Sequence, residues 1–540
     1  MNPAHAQHLR LAAQALGRGD TAMARAACHA LLREEPDNAD ALNLLGLCEA
    51  RAGNPAVAIG ALERAVAANP AYGNAWRNLA ALREATGDAP GAALALGEAL
   101  ARDPKAGYAD WYALGVRLHG AGRPGRAVEA FAQALKQRPD DIAALNNLAV
   151  AQYASGRQRE ARDSAERLLA RDPARTASCA TFAAIWATAT EPAGLQRALD
   201  AALAVLATDP GHAGAHDSAA IVLGKSGQAE AALVHAREAQ RLAPAEPAYA
   251  YTLARLADEF GRLDEAEAVL ASADARRVPH AGLRRLVGTV ALRRGQPQAA
   301  AAALAEALAI APDDQDAIAQ RGLALVLAGD AGAQAWLGLD RFLTAQALPV
   351  PTPFRDPAEF NAALAADIRR HSRLRYEPVG LAARGGYLTE DLLADPTPAI
   401  TGFERALRAA VARYIAALPS DRAHPFLGTI PARWTLNLWA TRVAAQGRID
   451  THLHSGSWLS GAYYVELPPA VDDGGDAAGW IEFGQPHRGL PQLDESRLLR
   501  IRPQVGTLLL FPSYLYHRTL PYEGPGERIS ISFDLGADAR

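Results

Sequence analysis

The sequence predicts a multidomain chain: an all-α solenoid over the first two thirds, then an α+β domain with an antiparallel sandwich or jelly-roll core. Three observations carry this. Prolines recur at intervals of 34 or 35 residues from Pro36 to Pro173, through Pro70, Pro104 and Pro139, and the beat resumes at Pro244, Pro279 and Pro312 after an irregular unit ending at Pro210. A cluster of four prolines, Pro349, Pro351, Pro353 and Pro357, then interrupts the helical texture. From Arg433 onward the residues alternate and are rich in aromatic and β-branched types. At 540 residues the chain is also too long for a single core.

Within each 34-residue unit the same residue types return. Trp111, Leu114 and Gly115 are followed by Ala127 and Phe131 and then by Pro139; Leu42, Leu45, Gly46 and Ala58 form a weaker copy, as do Trp76, Leu79 and Ala92. A glycine separates the two helices of most units, at Gly53, Gly87, Gly122, Gly156, Gly227, Gly261 and Gly295. Small alanines permit close helix pairing, glycine permits the reversal, and proline stops the second helix. No single pair can bury its apolar face alone, so units stack. The run resembles tetratricopeptide repeat proteins over roughly residues 5–343. That resemblance implies a right-handed superhelix whose concave groove holds a protein or peptide. Asn78 and Asn147 occupy equivalent positions in their units, where some such superhelices place an asparagine that binds peptide backbone. The resemblance therefore marks both as candidate substrate-binding residues; the alternative is a pair of solvated helix residues.

The net charge of −4 gives no general attraction to nucleic acid or an acidic membrane surface. No run reaches the ~20 apolar residues of a membrane span, and the N-terminus lacks the apolar segment of a signal peptide. Cys28, Cys48 and Cys179 show no metal-ligand spacing and predict free thiols in a reducing compartment. The expected location is the cytoplasm.

The proline-rich segment sets the expected division: residues 1–343 as solenoid, 344–358 as linker, and 359–540 as the second domain, with its β core at about 430–536. Residues Pro398–Leu418 predict a helix, with Phe403, Leu407, Val411, Tyr414 and Ile415 on one side. The stretches RWTLNLWATRV, GAYYVELP, GWIEFGQP, GTLLLFPSYLYH and RISISFDL predict strands, whereas PPAVDDGGDAAG is too polar and glycine-rich for one.

The chemistry-bearing residues sit on these strands. His452 and His454 are two apart at the mouth of GAYYVELP, so they project together. His517 ends the run GTLLLFPSYLYH, and Arg528 and Ser530 form another i, i+2 pair, opposite Ile529 and Ile531. The segments His452–Val465 (HxHxxSxLSGxYYV), Phe511–His517 (FPSxLxH) and Arg528–Phe533 (RxSxxF) resemble, in this order, the double-stranded β-helix (jelly-roll) core of Fe(II)/2-oxoglutarate-dependent oxygenases. The bacterial and phage members related to prolyl hydroxylases are the most similar. The specific resemblance spans about 100 residues.

The resemblance implies Fe(II), 2-oxoglutarate as co-substrate, and O2. It places His452, His454 and His517 as metal ligands on an iron with open positions. It implies that Arg528 and Ser530 hold the distal carboxylate of 2-oxoglutarate, with Tyr464 near the same group. Most of the superfamily has Asp or Glu where this chain has His454. Three readings follow: His454 is the third ligand, Asp450 or Asp472 supplies a carboxylate, or two histidines bind alone with water. Position in the pattern favours the first.

Fusion of a peptide-binding solenoid to such a core implies hydroxylation of a protein or peptide recruited by the superhelix. Collagen-type prolyl hydroxylases combine similar parts. Two alternatives stand beside it: a non-catalytic scaffold with a degenerate jelly roll, or an oxygenase acting on a small or carrier-bound molecule.

Overall fold

The computed structural model describes residues 3–172, 176–189, 192–275, 280–372, 374–376, 382–473 and 477–537. Two compact units divide the chain, one holding Met1–Ala189 and Gly194–Pro210, the other Gly211–Asp538.

Both units contain helix pairs built as the repeat predicts. In the pair Ala39–Arg51 and Pro55–Ala68, the Asn38 side chain caps the first helix by accepting from the Ala41 N–H, and Pro55 opens the second. The seven turn glycines all adopt positive φ, from 69° at Gly122 and Gly295 to 84° at Gly87, a region that side-chain-bearing residues enter only at a cost. Pro36, Pro70, Pro104, Pro139, Pro210, Pro244 and Pro312 each follow the end of a second helix; Pro173 and Pro279 lie outside the described residues. The signature Gly115 and Phe131 touch directly, since a Cβ at Gly115 would sit 2.5 Å from the Phe131 ring. The irregular unit is the pair Thr176–Trp186 and Pro192–Thr208.

The second unit ends in a ten-stranded antiparallel sheet. Its strands are β1 (Thr344–Ala347), β2 (Leu374–Tyr376), β3 (Ala383–Thr389), β4 (Trp434–His452), β5 (Leu459–Glu466), β6 (Ile481–Phe483), β7 (Leu499–Ile501), β8 (Thr507–Pro512), β9 (His517–Thr519) and β10 (Arg528–Ala537). The path runs β1-β8-β5-β10-β4-β9-β6-β7, with β3 pairing β4 and β2 pairing β3. Each of the five stretches expected as strands contains one. Among the described residues three further strands lie before residue 430: β1 inside the expected linker, and β2 and β3, the last held on β4 by a glycine-rich stretch with Gly385 at φ 64°.

Strand β4 is 19 residues long and is shared by two parts of the curled sheet. Its first half pairs with β10 from Trp434 to Val443, and its end pairs with β9 at Ile449 and His452, with a register shift between. The result is an open half-barrel, consistent with a jelly-roll-like core and not a closed barrel, because β1 and β7 end the path without pairing to each other. The centre is tight: a Cβ on Gly461 of β5 would lie 2.3 Å from both the Leu509 carbonyl oxygen and the Phe533 ring.

Helix Pro398–Ala417 buries Phe403, Leu407, Val411 and Tyr414 behind the sheet. The same apolar core reaches back without a break into the last repeats, joining Leu304, Ile318 and Leu323 to Phe342, Phe360, Phe403, Tyr463 and Leu509. Three polar contacts reinforce that junction. The Tyr414 hydroxyl donates to the Phe342 carbonyl (2.7 Å), the Tyr514 hydroxyl to the Leu337 carbonyl (2.8 Å), and Arg497 Nη1 to the Val326 carbonyl (2.9 Å).

Candidate metal centre

The crossing of β4 and β9 brings the three histidines together. His452 is the last residue of β4 and pairs in register with His517, the first of β9; His454 follows in the turn after β4. One imidazole nitrogen from each lies within 4.8 Å of the others. The ring centroids of His452 and His517 are 4.3 Å apart, those of His452 and His454 5.0 Å, and His454 Nε2 approaches His517 Nε2 to 3.4 Å.

Every Nδ1 in the cluster faces an acceptor. His452 Nδ1 lies 2.9 Å from the Asp450 carbonyl, His517 Nδ1 2.9 Å from the Leu515 carbonyl, and His454 Nδ1 3.0 Å from Asp534 Oδ2. Each contact selects the tautomer with the proton on Nδ1, leaving an Nε2 lone pair free for a metal. Burial, reinforced by neighbouring His454, pushes the His452 pKa down to about 4. Burial and then the other two imidazoles hold His517 well below its ordinary value. Both are therefore neutral near pH 7, the form that ligates.

A cavity of about 590 Å3 opens on this cluster. Its wall is the inward face of β10 and its cross-strand partners on β4: Ser530 opposite Thr441, Ser532 opposite Trp439, and Asp534 opposite Asn437. Arg528 begins the same series and is 4% exposed. Its Nε and Nη1 make no hydrogen bond of good geometry among the described residues; the buried Tyr464 hydroxyl interacts with the guanidinium but completes no such bond. The guanidinium carbon sits 5.2 Å from the Tyr464 ring centroid, and burial lowers the Arg528 pKa. A buried cation with unpaired donors is costly unless an anion completes it, and a carboxylate has the acceptors to do so. Ser530 lines the cavity beside it, whereas Tyr464 packs behind the arginine.

Other candidates fall elsewhere. The Asp450 carboxylate is taken by Arg384 Nε (3.1 Å) and Arg448 Nε (2.8 Å), so it faces two guanidinium groups. The Asp472 side chain lies outside the described residues. Among the described residues the metal-compatible cluster holds three histidines and no acid. Asn78 and Asn147 lie in the first compact unit: Asn78 Nδ2 donates to Asn43 Oδ1 (2.9 Å), and Asn147 Nδ2 donates to the Tyr112 hydroxyl (3.0 Å).

Sequence reasoning missed Asp534. The signal was present: the alternation that puts Arg528, Ser530 and Ser532 on one side of β10 reaches Asp534 two residues later. It also missed Thr441 and Trp439, which face the cavity only because β4 pairs with β10 in this register.

A half-barrel carrying three converging imidazoles and a buried arginine in one cavity is a candidate metal centre. Comparison with known proteins gives the domain its family. Residues 437–534 match the family described as "Putative 2OG-Fe(II) oxygenase", and residues 9–72, 50–107 and 118–184 match tetratricopeptide repeat families. The chain thus joins a tetratricopeptide repeat region to a domain of the 2-oxoglutarate- and Fe(II)-dependent oxygenase family, an enzyme class. No curated protein matches. Among solved structures, a tetratricopeptide repeat protein from Parabacteroides merdae is 18% identical with a TM-score of 0.41, covering 47% of this chain and 98% of its own. Yeast Tom70 is 12% identical with a TM-score of 0.34, covering 62% and 83%. A Pseudomonas putida prolyl-4-hydroxylase is 19% identical with a TM-score of 0.26, covering 37% and 96%. Among the described residues no helix is long and apolar enough to cross a membrane.

Proposed function

We propose that the chain is an Fe(II)/2-oxoglutarate-dependent dioxygenase that hydroxylates a protein or peptide recruited by its tetratricopeptide superhelix. His452, His454 and His517 are the metal ligands in this reading, and the curled sheet is the open form of a double-stranded β-helix core. The observation that carries it is the pairing of three convergent imidazoles with a buried guanidinium, whose Nε and Nη1 lack hydrogen bonds of good geometry, in one cavity. The donor set suits Fe(II), since neutral imidazoles ligate it and three protein ligands leave positions for co-substrate and O2. Bound iron and 2-oxoglutarate supply oxidative decarboxylation to succinate coupled to insertion of one oxygen atom into a C–H bond.

The protein's own residues bind and orient. Nδ1 contacts to the Asp450 and Leu515 carbonyls hold the rings of His452 and His517 in place. Arg528 provides a two-pronged cation for the distal carboxylate of 2-oxoglutarate, Ser530 a hydroxyl donor, and Tyr464 a wall that keeps the guanidinium in position. Trp439 and Leu453 line the cavity and limit water there. The solenoid groove contributes peptide capture, with Asn78 and Asn147 as contacts once their internal hydrogen bonds are exchanged for peptide backbone. Solenoid over 1–343 and oxygenase over 359–540 remain the proposed functional divisions, with the expected linker 344–358 contributing strand β1 to the sheet, and the cytoplasm the proposed location.

The test is succinate formation by protein purified without oxygen, supplied with Fe(II) and 2-oxoglutarate and then exposed to air. Succinate formed by wild type and lost in His452→Ala, His517→Ala and Arg528→Ala supports the reading. Failure of wild type to form succinate, with or without candidate peptides, favours the non-catalytic scaffold.

A further inference from the structure

Three imidazoles bring no negative charge to a divalent cation, yet a carboxylate stands directly behind one of them. Asp534 Oδ2 lies 3.0 Å from His454 Nδ1, while Asp534 Oδ1 accepts from the Ser460 hydroxyl at 2.6 Å. Ser460 Oγ is in turn 2.7 Å from Ser513 Oγ, and both serines are buried. His452 and His517 meet only backbone carbonyls through Nδ1. Among the described residues, His454 is the one imidazole of the three with an anionic partner.

We propose that Asp534 is the positioning residue of the metal centre. It fixes the proton of His454 on Nδ1, turns Nε2 toward the other two imidazoles, and sets one full negative charge behind the third ligand. Ser460 and Ser513 hold the carboxylate in that orientation. A carboxylate accepting from an imidazole N–H raises the basicity of the opposite nitrogen, and loss of such a partner typically costs about 10–100-fold in metal affinity. A carbonyl partner orients the ring with only a partial charge. The inference rests on the reading of the three histidines as metal ligands.

The full chain, purified without metal and kept free of oxygen, is titrated with Co(II), and the affinity and the visible absorption of the bound ion are recorded. Asp534→Asn should weaken Co(II) binding about 10–100-fold and shift the absorption, with Ser460→Ala shifting both in the same direction and less. In the His454→Asp background the sign reverses. There two carboxylates face each other, and adding Asp534→Asn should strengthen Co(II) binding. A residue that merely supported the fold would weaken binding in both backgrounds. Wild type that binds no Co(II) overturns the ligand reading itself. Wild type that binds Co(II), with Asp534→Asn unchanged in affinity and spectrum, overturns the role of Asp534 alone. Should Asp534→Asn fail to fold, Ser460→Ala decides, and an unchanged titration there overturns the proposal.

Discussion

Replacing Arg528 with methionine is expected to move stability and co-substrate binding in opposite directions. In the free protein the guanidinium is buried, and its Nε and Nη1 lack hydrogen bonds of good geometry. Each such donor costs about 1–3 kcal/mol, so the two together cost roughly 2–6 kcal/mol. Methionine removes that cost. It also removes the contact with the Tyr464 ring, worth about 0.5–2 kcal/mol, and leaves space worth about 1 kcal/mol. The centres of these ranges leave Arg528→Met more stable than wild type by roughly 1–2 kcal/mol. The assay is urea unfolding with a bound, redox-inert divalent metal, with and without 2-oxoglutarate. At 100-fold excess over its wild-type dissociation constant the ligand should stabilise wild type by about 2.7 kcal/mol, and the same concentration should stabilise Arg528→Met much less. A variant that is less stable than wild type and stabilised by 2-oxoglutarate as strongly would refute the reasoning, because Arg528 would then be a structural cation.

Other expectations follow from the same geometry. The metal-free protein should lose stability on acidification from about pH 6.5 toward pH 4. The His452 pKa is depressed from 6.5 to about 4, so across this window the unfolded chain binds the extra proton and stability falls with pH. The effect is about 3 kcal/mol for His452, with His517 acting in the same direction; chemical unfolding at several pH values, unchanged by His452→Asn, would contradict it. Gly461→Ala should destabilise the second unit by about 1–3 kcal/mol, read by thermal melting, because its Cβ would press on the Leu509 carbonyl and the Phe533 ring. A fragment beginning at Gly211 should unfold in one cooperative transition. One beginning at Glu359 should melt earlier or aggregate, having lost Leu304, Ile318, Leu323 and Phe342 from the shared core; equal melting of the two would disprove that dependence.

What could be read from the sequence depended on the range of the causes. The turn glycines were legible because helix reversal is local and demands positive φ within one residue. His452, His454, Arg528 and Ser530 could be seen as same-side pairs because strand alternation is equally local. The approach of His517 to His452 followed from motif order by resemblance, since the pairing of β4 with β9 crosses more than sixty residues. Asp534 lay within reach of the alternation. Its meeting with His454 was not, because that needs the bend of β4 and the turn after it. The strands before residue 430 escaped for a similar reason: ARGGYLT becomes a strand through its pairing with β4, against its glycine content.

Strand β9 ties these levels together. His517 opens it within the histidine cluster, and just before it the buried Tyr516 hydroxyl feels the charges of Asp316 and Arg285 of the last repeats. Two residues earlier, Tyr514 donates to the Leu337 carbonyl at the end of the solenoid. The turn that leads into the strand carrying His517 is therefore tied to the end of the solenoid, through a contact 177 residues apart in sequence. The His517 ring is oriented by the Leu515 carbonyl within that same turn, so its placement is set by the protein itself. The final repeats are therefore part of what holds the strand that carries His517.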